Sequence, residues 1–419
     1  MSDSNIADTV VIGAGIIGVA CALQLARQGR RVVVIDPQQP GMGASYGNAG
    51  HLATEQVFPI ADVSILKRLP AMLMDPRGPL SLDWKYLPRA LPWFVRLLLN
   101  LRPASYRRTV AGIRALNEAS LAAWQRLLQR IDRPQLLRPD GSLLVFERAA
   151  SAEAINALRL RMQQQNVAVE FWPGEAIRQV APQLSEAIRG GLFFPGTGHF
   201  IDPYTVVCEL VSAARASGVQ FVQQRVLDGR LDGAGVSLMT DQGVVAARQV
   251  LIACGAHSAR LTAALTGKTV PLDTERGYHL MLPTEQNRLP FAVTSFERKF
   301  IMTPMTDGLR LAGTVEFAGL KRPANMQRAW QLHRLSQGLF RQDLNAQDAT
   351  AWMGFRPSLP DSLPIIDRLC DGKVLLAFGH QHLGLTQAAV TAEIVAQLAA
   401  AQPSLSGLPT LAPYRLGRF

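Results

Sequence analysis

The feature that most constrains this chain is a strand, a glycine turn, a helix and a second strand, all within its first 36 residues. Thr9-Val-Val-Ile12 is a short β-branched run suited to a buried strand, and Ile16 to Gln28 is apolar at helical spacing. Gly29 stops the helix, and Arg31-Val-Val-Val-Ile35 is a second strand ending on Asp36. Strand, helix and strand in roughly thirty residues form a βαβ unit, which requires parallel strands. The turn between first strand and helix reads Gly13-Ala14-Gly15-Ile16-Ile17-Gly18. In such a turn the first glycine permits the tight bend and the second lets the backbone approach a pyrophosphate. The third lets helix and strand pack closely, and the helix N-terminus faces the anion. Asp36 falls where a carboxylate can accept both ribose hydroxyls. A bare glycine pattern can also be a structural turn, but with both strands, the helix and the acid in register it points to a bound dinucleotide.

A chain of 419 residues exceeds one ordinary core, so two domains are expected. With 48% hydrophobic and 18% charged residues it is globular rather than disordered. Lys and Arg number 43 against 32 Asp and Glu, and the net charge of +11 favours anionic partners without choosing among phosphates, carboxylates, nucleic acid and lipid. Cys21, Cys208, Cys254 and Cys370 have neither metal-ligand spacing nor a disulfide framework, which suits a reducing, cytoplasmic setting. The start Met1-Ser-Asp-Ser-Asn lacks the basic residues of a signal peptide, and Gly13, Gly15 and Gly18 break the apolar run Val10–Ala26, which is therefore not read as a membrane span.

Further along, Leu66 to Gln129 reads as long helices rich in Leu, Arg and Trp. Strands are expected at Gly141–Phe146 and Val167–Phe171, with a helix at Ala152–Gln165 between them. A helix from Asp202-Pro203 to Ala216 leads to a strand at Val219–Val222. Val250–Ala253 is another buried strand, ending in Cys254-Gly255-Ala256. Strands are expected across Thr269–Gly319, a helix at Asn325–Leu339, a strand at Val374–Phe378 and a last helix at Thr386–Ala401. The pattern predicts an α/β protein. A Rossmann-like, doubly wound cofactor domain (residues 1–65, 196–265 and 350–419) is interrupted by an inserted α+β substrate domain with a mostly antiparallel sheet (66–195 and 266–349).

Past the second strand, Gly43-Ala44-Ser45-Tyr46-Gly47-Asn48-Ala49-Gly50 offers backbone N–H groups plus Ser45 and Asn48 for a second approach to the pyrophosphate. Here the chain resembles the D-amino-acid oxidase-like superfamily of FAD enzymes, in particular the bacterial D-amino-acid dehydrogenases. The resemblance implies FAD, with Ala44 to Gly50 wrapping its phosphates and His51 and Leu52 reaching the flavin, and with Pro37 beside Asp36. It places Val226 at the adenine and Ala253-Cys254-Gly255-Ala256 at a small-residue turn on the dinucleotide, where His257 departs from the aromatic common in the family. Trp352-Met-Gly354-Phe-Arg356-Pro357, followed by Asp361 and Pro364-Ile-Ile, is similar to the family's G-x-R-P…D…P-x-I segment. There the arginine binds the substrate carboxylate, a role suited to a planar bidentate guanidinium; a structural salt bridge is the other reading. Gly379-His380-Gln381-His382-Leu383-Gly384-Leu385-Thr386 resembles the turn and helix start that meet the flavin ring. The helix dipole there would favour the anionic reduced flavin. No cysteine lies in that turn, so FAD is expected to be held noncovalently.

His380 and His382, with His51 and His279, invite a metal reading, but an i, i+2 pair without a neighbouring carboxylate does not match zinc-ligand spacing, and no metal is expected. Tyr278 either bonds the substrate or is a buried tyrosine with a satisfied hydroxyl. Trp84, Trp93, Phe94 and Leu97–Leu99, with Arg89, Arg96, Arg102, Arg107 and Arg108, form either a basic amphipathic surface for anionic lipid or an ordinary helical layer.

The resemblance implies dehydrogenation of a D-amino acid: a hydride passes from the substrate Cα to flavin N5, and the imine is hydrolysed. Arg356 is expected to hold the carboxylate, with Tyr278, His51 and His380 as further catalytic candidates. Electrons would pass to a quinone or another acceptor, with contact at the cytoplasmic face of the inner membrane. A cyclic or secondary amine such as D-hydroxyproline, proline or sarcosine is the alternative substrate. A tRNA-modifying flavoenzyme, a flavin subunit dependent on partner chains and an NAD dehydrogenase are the rivals. No compact basic tract or RNA-binding module supports a nucleic-acid partner.

Overall fold

A computed structural model of the chain describes residues 6–59, 78, 80–233, 235–400 and 407–419. Residues 66–77 and 79 of the expected helical region, and Ala401 at the end of the last expected helix, lie outside the described residues.

β-Branched runs supply a parallel sheet in the order Gln220–Gln223, Val32–Asp36, Ala7–Ile12, Gly243–Ile252 and Val374–Phe378, closed at one edge by antiparallel Ile365–Leu369. Strand alternation sends Val11, Val34, Leu251 and Leu375 to one face. There they pack with the helices Ile16–Arg27, Pro203–Ala216 and Gly384–Ala399. Val10, Ile12, Ile35, Val250, Ile252 and Leu376 face the other way, onto Val236 and Leu238 of an antiparallel hairpin and Leu261 and Leu265 of the helix Ser258–Thr266. Both faces are therefore covered, as a parallel sheet needs. Asp202 caps the Pro203–Ala216 helix by accepting from Thr205 N at 2.8 Å.

A second, mostly antiparallel sheet runs in the order Thr350–Ser358, Asp273–Leu282, Gly308–Phe317, Phe300–Met305, Ala292–Ser295, Ser142–Phe146, Gly190–Phe194 and Glu170–Pro173, with Leu80–Leu82 beside Gly308–Phe317. The helix Gln327–Ser336 covers its far face. His51–Leu52, Gly198–Phe200 and Leu137–Arg138 make a small third sheet.

Three expectations are corrected. Val167–Val169 stay outside the strand, which starts at Glu170. The boundary at residue 350 cuts through the second sheet, because Thr350–Ser358 pairs along its length with Asp273–Leu282. The long helix Pro103–Arg130 was placed with the substrate domain, yet it packs against Gly384–Ala399 and enters the first core through Ile113, Leu116 and Trp124. Trp124 is fully buried, lies edge-on to Phe200 with ring centroids 4.8 Å apart, and donates from Nε1 to the carbonyls of Leu385 and Thr386. Truncation here removes a large buried ring and two hydrogen bonds at the start of the final helix. Trp124→Ala is expected to lower stability by about 3–5 kcal/mol in urea denaturation.

Candidate active site

The carboxyl ends of the parallel strands open into a cleft of about 1380 Å³ that runs on between the two sheets. It exceeds the roughly 300–1,000 Å³ of a pocket for one small ligand. Its position is the crevice where open α/β sheets bind ligands.

The fingerprint turn builds one end, lined by Gly13, Ala14, Gly15, Ile16 and Ile17. Gly13 has φ 108°, a region open to glycine, and a β-carbon there would overlap the Ala253 carbonyl. A β-carbon on Gly15 would meet only Ser45 Oγ, at 3.4 Å, so the backbone stays open to the cleft. Gly18 lies outside the cleft wall and lets the helix rest on the Gly13 carbonyl. Asp36 lines the cleft while its Oδ2 accepts from Ala14 N and its Oδ1 from Gln38 N, each at 2.8 Å. Ser45 Oγ accepts from Ile16 N at 3.0 Å, and Asn48 Oδ1 from Gly50 N at 2.9 Å. Pro37, Ala44, Asn48, Ala49, Val226, Ala253, Cys254 and Gly255 also reach the cleft, as do the cations Arg225, Arg260 and Lys299. An exposed glycine backbone, a helix N-terminus, an acid and a second polar loop fit the pyrophosphate and ribose of a dinucleotide.

The other end is made by the second sheet and the Gly379–Leu385 turn. Gly354, Gly379, His380, Gln381, His382, Gly384 and Leu385 line it. Arg356 lies opposite Glu275 on the neighbouring strand, and its guanidinium lies over Gly277, where a β-carbon would sit 2.5 Å from Cζ. Its Nη1 donates to the Thr314 carbonyl at 3.4 Å, and the residue lines the cleft. Burial lowers its pKa and Glu275 raises it, but a guanidinium stays charged. Glu275 is 1% exposed; burial raises its pKa against the pull of Arg356 and of the neighbouring Ser358 hydroxyl.

Several expected residues make other contacts. Tyr278 belongs to the cleft lining, but its ring packs in the second core. There its hydroxyl donates to Glu316 at 2.6 Å and accepts from Asn325 N at 3.2 Å. It is the buried, satisfied tyrosine, with burial and Glu316 raising it to about 12. Leu52 and Leu383 belong to the first core rather than the cleft wall. Thr386 uses Oγ1 to accept from Ala53 N at 3.0 Å, and Gly50 packs against Met305 and the Phe200 carbonyl. His380 and His382 do not converge: His380 Nε2 meets Thr391 Oγ1 at 3.0 Å, and His382 Nε2 meets Gln56 Oε1 at 2.6 Å. Asp361 pairs with Arg418 at 2.6 Å. His257 lines the cleft and lies edge-on to Phe355.

Sequence reasoning missed residues that shape this end. Trp352 stacks on His279 at 5.1 Å and fills the space left by Gly47 and Gly354. His279 Nδ1 donates to the Gly47 carbonyl at 2.8 Å, and Arg310 Nη1 to the Asn48 carbonyl at 2.7 Å, so the second sheet holds the Ala44–Gly50 loop. Glu55 bonds His51; its spacing of four from that histidine was the available signal.

Burial sets the histidine charges. It pushes His380 down to about 3, His382 to about 3 with help from Arg356 and His51, His279 to about 3 with help from Arg310, and His199 to about 4 with help from His51. Each is therefore neutral in the folded state and binds a proton on unfolding below its ordinary value of 6.5. Their combined contribution is intact above that value and falls as pH drops towards 4. Urea denaturation at stepped pH should show stability lost with acid, and proton uptake on unfolding that approaches four for these groups.

The FAD dependent oxidoreductase family model matches residues 8–398. A D-amino-acid oxidase of Bradyrhizobium diazoefficiens is 35% identical over 418 residues, covering 98% of each chain. A D-amino acid dehydrogenase of Vibrio vulnificus is 27% identical, over 94% of this chain and 96% of its own. Among solved structures, glycine oxidase from Geobacillus kaustophilus superposes with a TM-score of 0.74 at 22% identity, over 99% of both chains.

Proposed function

Since this chain belongs to the FAD dependent oxidoreductase (DAO) family, we propose that it oxidises a D-amino acid at the Arg356 end of its cleft. The carrying observation is Arg356, a half-buried guanidinium in the cleft wall. Among the described residues no carboxylate lies within 4 Å of this guanidinium; Glu275, opposite it on the neighbouring strand, is the anion that acts on it, and a planar substrate carboxylate would add a direct bidentate partner. The names of the relatives support the D-configuration.

FAD fits the open Gly15 backbone, Asp36, the Ala44–Gly50 loop and the Gly379–Leu385 turn, and held there it would supply the acceptor for the hydride that leaves the substrate Cα. The chain's own residues bind and orient. Arg356 fixes the carboxylate, Gly277 leaves it room, and Trp352 with His279 closes the adjoining wall. The amine must be neutral for its lone pair to assist loss of hydride, and water then hydrolyses the imine.

Anaerobic bleaching of the flavin spectrum across D- and L-amino acids, sarcosine, proline and hydroxyproline isomers tests the substrate. Rapid bleaching by D-amino acids is expected. Bleaching confined to secondary amines, or none at all, would overturn the reading. Arg356→Ala should keep the flavin and raise KM by about 10- to 150-fold, the equivalent of roughly 1.5–3 kcal/mol for a charge-assisted pair.

The electron acceptor is proposed to be a quinone, reached from the cytoplasmic face of the inner membrane. The helix Leu87–Leu99 supports this. It buries Ala90 and Trp93 on the protein yet exposes Leu91, Val95, Leu98 and Leu99 on its outer side, next to exposed Trp84. Arg89, Arg96, Arg102, Arg107 and Arg108 are exposed around this stripe, a composition suited to anionic lipid. Among the described residues no helix is long and apolar enough to cross a membrane. In vesicle flotation the protein should rise with phosphatidylglycerol vesicles, and Val95→Asp with Leu98→Asp should abolish this. Wild-type protein that stays at the bottom of the gradient would rule the contact out.

A further inference from the structure

His51 lines the cleft, whereas Glu55, one helical-turn spacing later in sequence, stands outside the cleft wall. Both are 7% exposed. The ring is fixed from both sides. His51 Nδ1 lies 3.0 Å from the Gly198 carbonyl, which can only accept, so this nitrogen carries a hydrogen. His51 Nε2 lies 3.0 Å from Glu55 Oε1. The backbone is pinned by pairing of His51 with His199 and by the bond from Ala53 N to Thr386 Oγ1. Glu55 Oε2 is buried without a hydrogen-bond partner, so His51 is the group that meets this carboxylate's charge.

On the reading that this cleft carries out flavin-dependent amine oxidation, we propose that Glu55 is a positioning residue that keeps His51 doubly protonated, with the charged ring at the cleft wall and the carboxylate behind it. The pair is neutral overall but oriented, positive end inward. A fixed cation there disfavours an ammonium group and favours the neutral amine that oxidation requires. It also favours arrival of negative charge on FAD held in the same cleft.

The surroundings agree. Burial acts to lower the ring's pKa, but Glu55, by charge and hydrogen bond, and the Gly198 carbonyl outweigh it and raise the ring above its ordinary value. The other groups that face it are His199, from the strand Gly198–Phe200, and His382, from the Gln381–Leu383 turn; both are held neutral. Arg138 acts on His199 and Arg356 on His382. Among the described residues, Glu55 is the carboxylate that favours the charged ring.

The test uses the holoenzyme with 15N-labelled histidine. In the wild type, both His51 ring nitrogens should be protonated at neutral pH, with a titration above the ordinary 6.5. Glu55→Gln keeps size and removes charge; it should lower that titration by about one pH unit or more. The same variant should lower the midpoint potential of the bound flavin and reduce kcat by about tenfold, with KM little changed because Arg356 is intact. Glu55→Asp should restore part of each effect. A His51 ring singly protonated at neutral pH in the wild type would overturn the proposal, and that reading needs no variant to fold. Unmoved titration and potential in Glu55→Gln would overturn it equally. Neither readout involves substrate, so a failed D-amino-acid assignment leaves both interpretable.

Discussion

Gly13 turns with φ 108° directly against the Ala253 carbonyl, and Gly18 rests on the carbonyl of Gly13. Side chains at these places would push the first helix off the sheet and the Ala253–Gly255 turn away from the first strand. Once they are in contact, the first strand must lie between Val32–Asp36 and Gly243–Ile252, in register with both. The helix start is then held above the sheet edge, with Gly15 open beside it. The crevice is therefore a result of backbone packing, and its polar groups, Asp36 and Ser45, tie that packing together by accepting from Ala14 N and Ile16 N. Both roles rest on the same atoms, so the packing that joins helix and sheet also shapes the site.

The second sheet is joined to this frame by contacts that also build the far end of the cleft. His279 and Arg310 reach across to the carbonyls of Gly47 and Asn48, and the Trp352 ring occupies the space that Gly47 and Gly354 leave by lacking a β-carbon. The loop that was expected to wrap phosphates is thus held by the domain expected to bind substrate. A shift of the second sheet would move both sites together, which couples the distance between them to the fold itself rather than to a flexible hinge.

How far the sequence disclosed this depended on the range of the interaction. The fingerprint turn, Asp36 and the Ala44–Gly50 loop could be read because local spacing determines what they do. Arg356 was readable through its family resemblance, but the strand that carries it, Thr350–Ser358, was not, because its alternation is masked by glycine, arginine and proline. Tyr278 shows the limit of pattern reading. It neighbours Gly277, which faces Arg356, and a single step along a strand reverses the face. The long helix Pro103–Arg130 was assigned by chain position, whereas its partner, Gly384–Ala399, comes more than 250 residues later in sequence. Glu55 carries no sequence signal beyond its spacing of four from His51; burial, which sequence does not show, gives it significance.

The histidines show how environment rather than residue type divides the labour. Burial drives His199, His279, His380 and His382 to the neutral form, and three of them have a bond that suits it: the Gly47 carbonyl for His279, Thr391 for His380 and Gln56 for His382; His199 Nδ1 is buried without a partner. His51 is just as buried, but its two nitrogens face a carbonyl and a carboxylate, and its pKa moves the other way. The asymmetry is self-reinforcing. A charged His51 helps to discharge His199 and His382, and Arg356 adds to the effect on His382. Neutral imidazoles in turn impose no repulsion on Arg356 and His51. Positive charge at the cleft wall here is thereby held on Arg356 and His51, where a carboxylate and developing negative charge can use it, and kept off the neighbouring histidines.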